Sequence, residues 1–282
     1  MKRAYRESAP AKINRFLHVT GVRTDGYHNL CSLMQTVSLC DEIRFEPGPE
    51  GSGLSFSCSV PELGGENNLC LTAANAFFEM TGRKPEGRMR LEKRIPHRAG
   101  LGGGSADAAA VLRLLRRVYS VPLTEEDILR TAAGIGADVP FCLHGGTALC
   151  EGIGDVLTPL PDPDPEIFLL AKGPEGLSTA EMFRLIDEAG TFSEPGEDGP
   201  GNDFEPYACR LLPGIRTLLD GLTASGAAEA LMSGSGSAVF GRFSSESEAR
   251  LAEKSLRAAF KAGSGDGTRL FTVVCRTVPR YD

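Results

Sequence analysis

Four glycines stand within five positions in the segment Gly100-Leu101-Gly102-Gly103-Gly104, and Ser105-Ala106-Asp107-Ala108-Ala109 follows without a break. Glycine admits positive φ and lets a ligand approach the backbone closely. A helical pattern, Ala109 to Tyr119, comes next. A glycine-rich turn opening into a helix presents unpaired N–H groups at the positive end of a dipole, and such a terminus seats phosphate. The chemistry to expect is the handling of a nucleotide or another phosphorylated ligand. Two other phosphate motifs are excluded. No Gly-Lys-Ser/Thr follows the glycines, and no acidic residue ends a suitable second strand.

Three shorter segments carry side chains able to react. Pro10-Ala11-Lys12-Ile13-Asn14 puts a lysine at the entry to a strand, where small apolar neighbours would partly desolvate it. Taken alone, Lys12 reads more readily as a solvated edge lysine. In Gly134-Ile135-Gly136-Ala137-Asp138-Val139-Pro140 the acid falls in a turn, because the residue before a proline avoids the helical region. An aspartate that only steadies a turn through backbone N–H groups has the same look. Asp25-Gly26 makes a turn, and Tyr27-His28 then offers an aromatic ring and an imidazole, although ordinary hairpin chemistry accounts for both.

The elements around these residues read as a mixture of strands and helices. Ile13–Thr20 predicts a strand, Gly21–Gly26 a turn, and Leu33–Leu39, Glu42–Glu46 and Leu54–Val60 further strands. A helix is predicted from Asn67-Asn68-Leu69 to about Thr81, with Asn68 as its cap. Met89–Ile95 alternates as a half-buried strand leading into the glycine loop, and Ala108, Val111, Leu112, Leu115 and Val118 share one face of the helix after it. Thr124 and Asp127 form a capping box for a helix ending near Gly134. The prolines at 159, 161, 163 and 165 mark a boundary, since neither a helix nor a central strand continues through them. Beyond it come a buried strand (Ile167–Ala171), a helix (Ser178–Ala189, capped by Ser178 or Thr179), a polar loop (Glu194–Gly201), and helices near Asp203–Leu212 and Gly214–Leu222. A second glycine loop, Met232–Ser237, an amphipathic helix, Ser245–Ala262, and a closing strand, Leu270–Val278, complete the chain.

The 282 residues suffice for one large domain or two moderate ones. A net charge of −7 argues against general nucleic-acid binding. The eight cysteines form no Cys-x-x-Cys pair and several lie in apolar runs, the pattern of buried free thiols in a reducing cytoplasm. No signal peptide and no apolar run of membrane-spanning length is present, so a cytoplasmic protein is expected.

Taken together, the segments resemble the GHMP kinase superfamily, named after galacto-, homoserine, mevalonate and phosphomevalonate kinases. The likeness runs through nearly the whole chain. Gly100–Ala109 resembles the superfamily's ATP loop, Gly136-Ala137-Asp138-Val139-Pro140 its catalytic-acid segment, Asn202-Asp203-Phe204-Glu205 an Asn-Asp-Leu-Glu segment, and Ser233–Ser237 its third motif. Pro10–Asn14, with Gly21 and Asp25-Gly26-Tyr27-His28 downstream, resembles the members that act on a cytidine diphosphate-linked methylerythritol.

This resemblance implies an α+β fold in two lobes: a ribosomal protein S5 domain 2-like, ATP-binding lobe over residues 1–160, and a ferredoxin-like lobe over 161–282, with the substrate cleft between them. It implies phosphorylation of the 2-hydroxyl of that small-molecule substrate, with ATP and Mg²⁺ as cofactors, in the non-mevalonate isoprenoid route. The protein would be a monomer or homodimer with no nucleic-acid or membrane partner. Asp138 would take the hydroxyl proton, and Lys12 would pair with Asp138 and stabilise the developing alkoxide. Pro96, Gly100, Leu101, Gly102, Gly103, Gly104 and Ser105, with Asn68 and Leu69 near adenine, would hold ATP. Tyr27 would stack on cytosine, His28 would bond its edge, Phe183 would cover its other face, and Asn14 and Thr179 would add polar contacts. One residue departs from the pattern. Ala106 stands where the superfamily has a second serine, so the metal ligands stay unassigned. Homoserine- or mevalonate-type kinases are disfavoured because those substrates have no base to stack on Tyr27. A non-catalytic nucleotide-binding module is disfavoured because Lys12 and Asp138 are both kept.

Overall fold

Two long antiparallel strands, β1 (Tyr5–Val22) and β2 (His28–Pro47), organise the first half of the molecule. In this computed structural model residues 4–194, 196, 199–263 and 269–281 are described, so part of the predicted loop 194–201 lies outside them. Gly26 turns the hairpin at φ +85°, and Asp25 Oδ1 accepts the Tyr27 N–H at 3.1 Å. The sequence predicts two strands where β2 runs unbroken. Cys40 and Asp41 interrupt the apolar pattern yet stay paired, opposite Pro10 and Ala9. A buried acid is tolerated there because Asp41 accepts from Lys93 and from the backbone N–H groups of Arg94 and Ile95.

β2 is the centre of the first sheet. β4 (Gly87–Glu92) pairs with residues 42–47 and β5 (Thr147–Gly152) with residues 30–35, both antiparallel. β3 (Leu54–Cys58) runs parallel to β4, and β6 (Val156–Leu160) closes the far edge, the one place where a strand takes Pro159 without losing a ladder bond. Helices α1 (Leu69–Thr81), α2 (Gly103–Tyr119), α3 (Glu125–Ile135) and α4 (Val139–His144) share a core with this sheet, built on Phe45, Phe77, Met89, Leu112 and Phe141. The predicted caps form at α1, where Asn68 accepts the Cys70 N–H, and at α3, where Thr124 and Asp127 bond reciprocally. Neither α4 nor β5 and β6 was foreseen: each spans five or six residues, too few to show a period.

The second sheet holds β7 (Ile167–Lys172), β8 (Glu229–Met232), β9 (Val239–Phe243) and β10 (Phe271–Arg276) in the order β10-β7-β9-β8, every pair antiparallel. With α5 (Thr179–Ala189), α6 (Glu205–Leu211) and α7 (Pro213–Ala224) before β8, and α8 (Glu246–Gly263) before β10, this is the ferredoxin-like arrangement. Ser178 precedes α5 but makes no capping bond, a correction to the sequence expectation; Thr179 is instead its first helical residue.

A third apolar cluster, with Ala11, Ile13, Ile95, Leu101, Phe168 and Phe240, joins the two sheets. The chain after β10 crosses back to β2, where Val37 bridges Thr277 and Thr36 accepts the Val278 N–H. Among the described residues no helix is long and apolar enough to cross a membrane.

Candidate active site

Two irregularities in the β1–β2 register, between Pro10 and Lys12 and between Asn14 and Phe16, bracket the segment that matters most. Bulges bend a strand and re-aim its side chains. Lys12 and Asn14 consequently project from one face, both almost wholly buried, while Ala11 and Ile13 enter the apolar cluster between the sheets. Lys12 Nζ donates to Asn14 Oδ1 at 2.6 Å and lies 3.2 Å from Asp138 Oδ2. Asn14 is held in turn: Nδ2 donates to Ser32 Oγ at 2.7 Å, and Ser32 donates to the Phe16 carbonyl at 2.6 Å. Asp138 caps α4 in position but bonds none of its N–H groups, so its carboxylate is left to the lysine and the cleft. Lys12 and Asn14 lie two positions apart on β1, and the start of α4 brings Asp138 to them from more than 120 positions away.

The glycine loop lies directly over this group. Gly102 has φ +65°, and a Cβ there would lie 2.8 Å from Lys12 Cγ, so the lysine stem needs the bare glycine. Gly100, at φ +73°, is more constrained: a Cβ would fall 2.0 Å from the Ser233 carbonyl oxygen. α2 begins at Gly103, five residues before the predicted apolar face makes it evident, and its first bond runs from Ala106 N–H to the Gly102 carbonyl at 2.8 Å. The N–H groups of Gly103, Gly104 and Ser105 therefore have no intrahelical acceptor, and α2 carries no acid in its first turn. They line a cleft of about 750 Å³ that also takes in Lys12, Asn14 and Asp138. Pro96, Leu101, Asn68 and Leu69 line the same cleft. Asn68 is already engaged, since Oδ1 caps α1 and Nδ2 donates to the Leu63 carbonyl at 2.7 Å.

Several supporting residues escaped the sequence reading. Beneath the loop, Lys93 lies between Asp41 and Asp107, 2.8 Å from Asp107 Oδ2. Burial opposes the lysine's charge, but the two carboxylates overcome it and its pKa ends above the usual value. Burial, with Asp41 nearby, pushes the Asp107 carboxyl up to about 8 against the pull of Lys93. Asp107 Oδ1 is buried with no partner among the described residues. The second glycine loop clasps the first: Ser233 Oγ donates to the Gly100 carbonyl at 2.9 Å, and Asn202 Nδ2 holds the Met232 and Gly234 carbonyls at 2.7 and 2.9 Å. The Asn-Asp-Phe-Glu segment thus braces the site from behind; Asp203 bonds the Val19 N–H and Glu205 the Met232 N–H.

The opposite end of the cleft is built from side chains. Thr179 Oγ1 bonds Ser235 Oγ at 2.8 Å, and Phe183 faces the cleft from α5. His28 lies flat against Phe183, ring centroids 4.3 Å apart, and its Nε2 meets Asp187 Oδ1 at 2.7 Å. The sequence expectation put a base between Tyr27 and Phe183. Here the imidazole covers the Phe183 face instead, and Tyr27 is 60% exposed on the turn without ring contact to Phe183. The reason is local: Asp187, one helical turn after Phe183, draws the imidazole across the ring.

Comparison with known proteins agrees with this architecture. The sequence pattern of the GHMP kinases N terminal domain matches residues 68–146, and that of the GHMP kinases C terminal region matches residues 182–262. The chain belongs to the GHMP kinases. A 4-diphosphocytidyl-2-C-methyl-D-erythritol kinase of Desulfitobacterium hafniense is 42% identical over 258 residues, covering 86% of this chain and 88% of that protein. A crystal structure of 4-(cytidine 5′-diphospho)-2C-methyl-D-erythritol kinase superposes with a TM-score of 0.80 at 35% identity, covering 96% of this chain and 99% of that one. Within the GHMP kinases, the chain belongs to the family these two represent. A homoserine kinase from Cytophaga hutchinsonii shares the fold (TM-score 0.72, 17% identity, 99% and 96% coverage).

Proposed function

We propose that this chain transfers the γ-phosphate of ATP to the 2-hydroxyl of 4-diphosphocytidyl-2-C-methyl-D-erythritol, giving the 2-phosphate and ADP, in the non-mevalonate isoprenoid precursor pathway. The observation that carries the proposal is the Lys12–Asp138 pair, 3.2 Å apart at the mouth of the glycine loop. In the reaction the Asp138 carboxylate takes the proton of the substrate hydroxyl. The oxygen bonds to the γ-phosphorus, the bond from that phosphorus to the bridging oxygen breaks, and ADP leaves with the electron pair. Lys12 stands beside the oxygen as its negative charge develops, and Asn14 keeps the ammonium aimed. The N–H groups of Gly103, Gly104 and Ser105 hold the phosphates. Pro96, Asn68 and Leu69 border adenine, and Leu101 closes the loop's inner wall. Tyr27, His28, Thr179 and Phe183 receive the cytidine end, with the imidazole turning off Phe183 as the base arrives.

The donors suit a magnesium ion carried in with ATP. Mg²⁺ keeps most of its shell as water and phosphate oxygen and takes few protein ligands. The Ser105 hydroxyl, in the lining of the cleft and free of hydrogen bonds to described residues, would hold it, because Ala106 has no side-chain oxygen to give. When bound, the ion neutralises phosphate charge. Eight free thiols support a reducing, cytoplasmic setting. Residues 1–160 form the nucleotide lobe and 161–282 the second lobe, a division supported by a first sheet ending at Leu160 and a second starting at Ile167.

Release of ADP with a panel of acceptors tests the proposal. Turnover is expected with the cytidine substrate and not with homoserine or mevalonate. The reverse pattern would sink the specificity, and no turnover with any acceptor despite tight ATP binding would reduce the protein to a binding module.

A further inference from the structure

Arg98 stands two residues before Gly100, exposed in the wall of the same cleft, and three observations set it apart. Its backbone is left-handed, φ +51°, a conformation rare for any side chain but glycine and found at functional sites when the surroundings enforce it. Its side chain makes no hydrogen bond or ion pair with any described residue, although the guanidinium has five donors. Its charge lies close enough to Lys172 to disfavour that lysine's protonated form. Burial lowers the Lys172 pKa most, Glu175 opposes, and Arg98 adds to the fall. Lys172 in turn donates only to the carbonyls of Gly173, at 3.0 Å, and Glu175, at 2.7 Å.

The surroundings hold Arg98 in this state. A Cβ on Gly176 would lie 2.7 Å from Arg98 Cβ and 3.5 Å from its Nε, so the second lobe presses on the arginine stem through a glycine. On the other side the Ala99 carbonyl accepts the Ala238 N–H at 3.0 Å, and Ser233 bonds Gly100. The stem packs on Gly176 and the backbone after it is pinned to the second glycine loop, while the charged end is exposed with no counterion among the described residues. A guanidinium in the wall of the cleft that contains the phosphate cradle, without a counterion among the described residues, suits an anion, and its planar fork matches two phosphate oxygens.

We infer that Arg98 is a phosphate-binding residue for the nucleotide seated on the glycine loop, contributed by the loop that leads into the cradle and locked in place by the second lobe. The inference rests on the kinase reading above. It adds to the backbone cradle one side chain whose cost in backbone conformation is borne for affinity toward ATP and ADP. A diphosphate could also reach this wall from the cytidine substrate; the shared position with Gly100 assigns the arginine to the ATP side.

Isothermal titration of ADP, CDP and adenosine into the unsubstituted protein, Arg98→Gly and Arg98→Gln tests the assignment. Arg98→Gly relieves the left-handed backbone and Arg98→Gln keeps the stem against Gly176, so between them a folded variant is available. Both variants are expected to bind ADP about tenfold more weakly, the worth of one charge-assisted contact, while adenosine and CDP bind as before and Arg98→Gly melts no lower than the unsubstituted protein. Equal ADP affinity in all three proteins would overturn the inference and leave the kinase reading standing. An adenosine loss matching the ADP loss would make Arg98 merely structural, and a loss confined to CDP would move it to the other substrate. If the unsubstituted protein bound no ADP, both the inference and the kinase reading would fall.

Discussion

The two ends of the cleft are made of different material. The end proposed for the nucleotide is backbone: the N–H groups of Gly103, Gly104 and Ser105, beside Gly100 and Gly102, which take positive φ and bring no Cβ. The end proposed for cytidine is side chain: Thr179 and Phe183 line it, His28 lies behind on Phe183 with Asp187 holding its imidazole, and Tyr27 is exposed on the turn. Between them sit Lys12, Asn14 and Asp138. A backbone site is indifferent to what the acceptor is. A side-chain site can be rewritten residue by residue without disturbing the fold. On the proposed reading, affinity for phosphate and choice of acceptor are separable properties of one cleft.

That separation is open to attack by substitution. The largest effect is expected between the two ends. Lys12→Met keeps the stem over Gly102 and removes the ammonium, and turnover should fall by about 10²–10³-fold with little change in either Michaelis constant; steady-state kinetics checks it. Next comes the backbone end. Gly100→Ala must displace the Ser233 carbonyl and adopt a left-handed φ, so it should cost about 2–3 kcal/mol of stability and weaken ADP binding, read by denaturant melts and titration. Normal ADP affinity in that variant would break the claim that the cradle depends on its bare glycines. At the side-chain end, Tyr27→Ala should raise the Michaelis constant of the cytidine substrate by about tenfold, the scale of one base stacked on an aromatic ring, and leave that of ATP alone. An equal rise in both would erase the distinction between the ends.

The smallest effect concerns the support under the loop. Asp107 has its folded pKa raised from 3.8 to about 8, so folding favours its protonated form. The stability this contributes is complete below pH about 4 and is lost as pH climbs toward about 8. Asp107→Asn imitates the neutral acid. Its melting temperature should therefore gain on that of the unsubstituted protein by a few degrees between pH 5 and pH 8. Parallel pH profiles for the two proteins would show that Asp107 carries its charge throughout.

The contrast between the ends also explains what the sequence disclosed. Strand, glycine loop and helix were legible in order, because glycine spacing and the apolar face of α2 are local patterns. So was the α+β class, down to the capping box of Thr124 and Asp127. The start of α2 inside the glycines was not, since bare glycines carry no period. The short elements α4, β5, β6 and β8 left too few residues to read. Lys93 and Asp41 pair across 52 positions and Arg98 meets Gly176 across the lobes, and no local pattern announces such contacts. The pairing of His28 with Asp187 belongs to the same class: it needs α5 to lie beside the β1–β2 turn, a fact of tertiary structure.

The central claim is that the cradle binds and the pair between the ends transfers. Asp138→Asn, assayed both for ADP affinity by calorimetry and for phosphate transfer to the cytidine substrate by rapid quench, tests it most directly. Binding within about threefold of normal and transfer lower by about 10²–10⁴-fold is the predicted result. Near-normal transfer in the folded variant would contradict it.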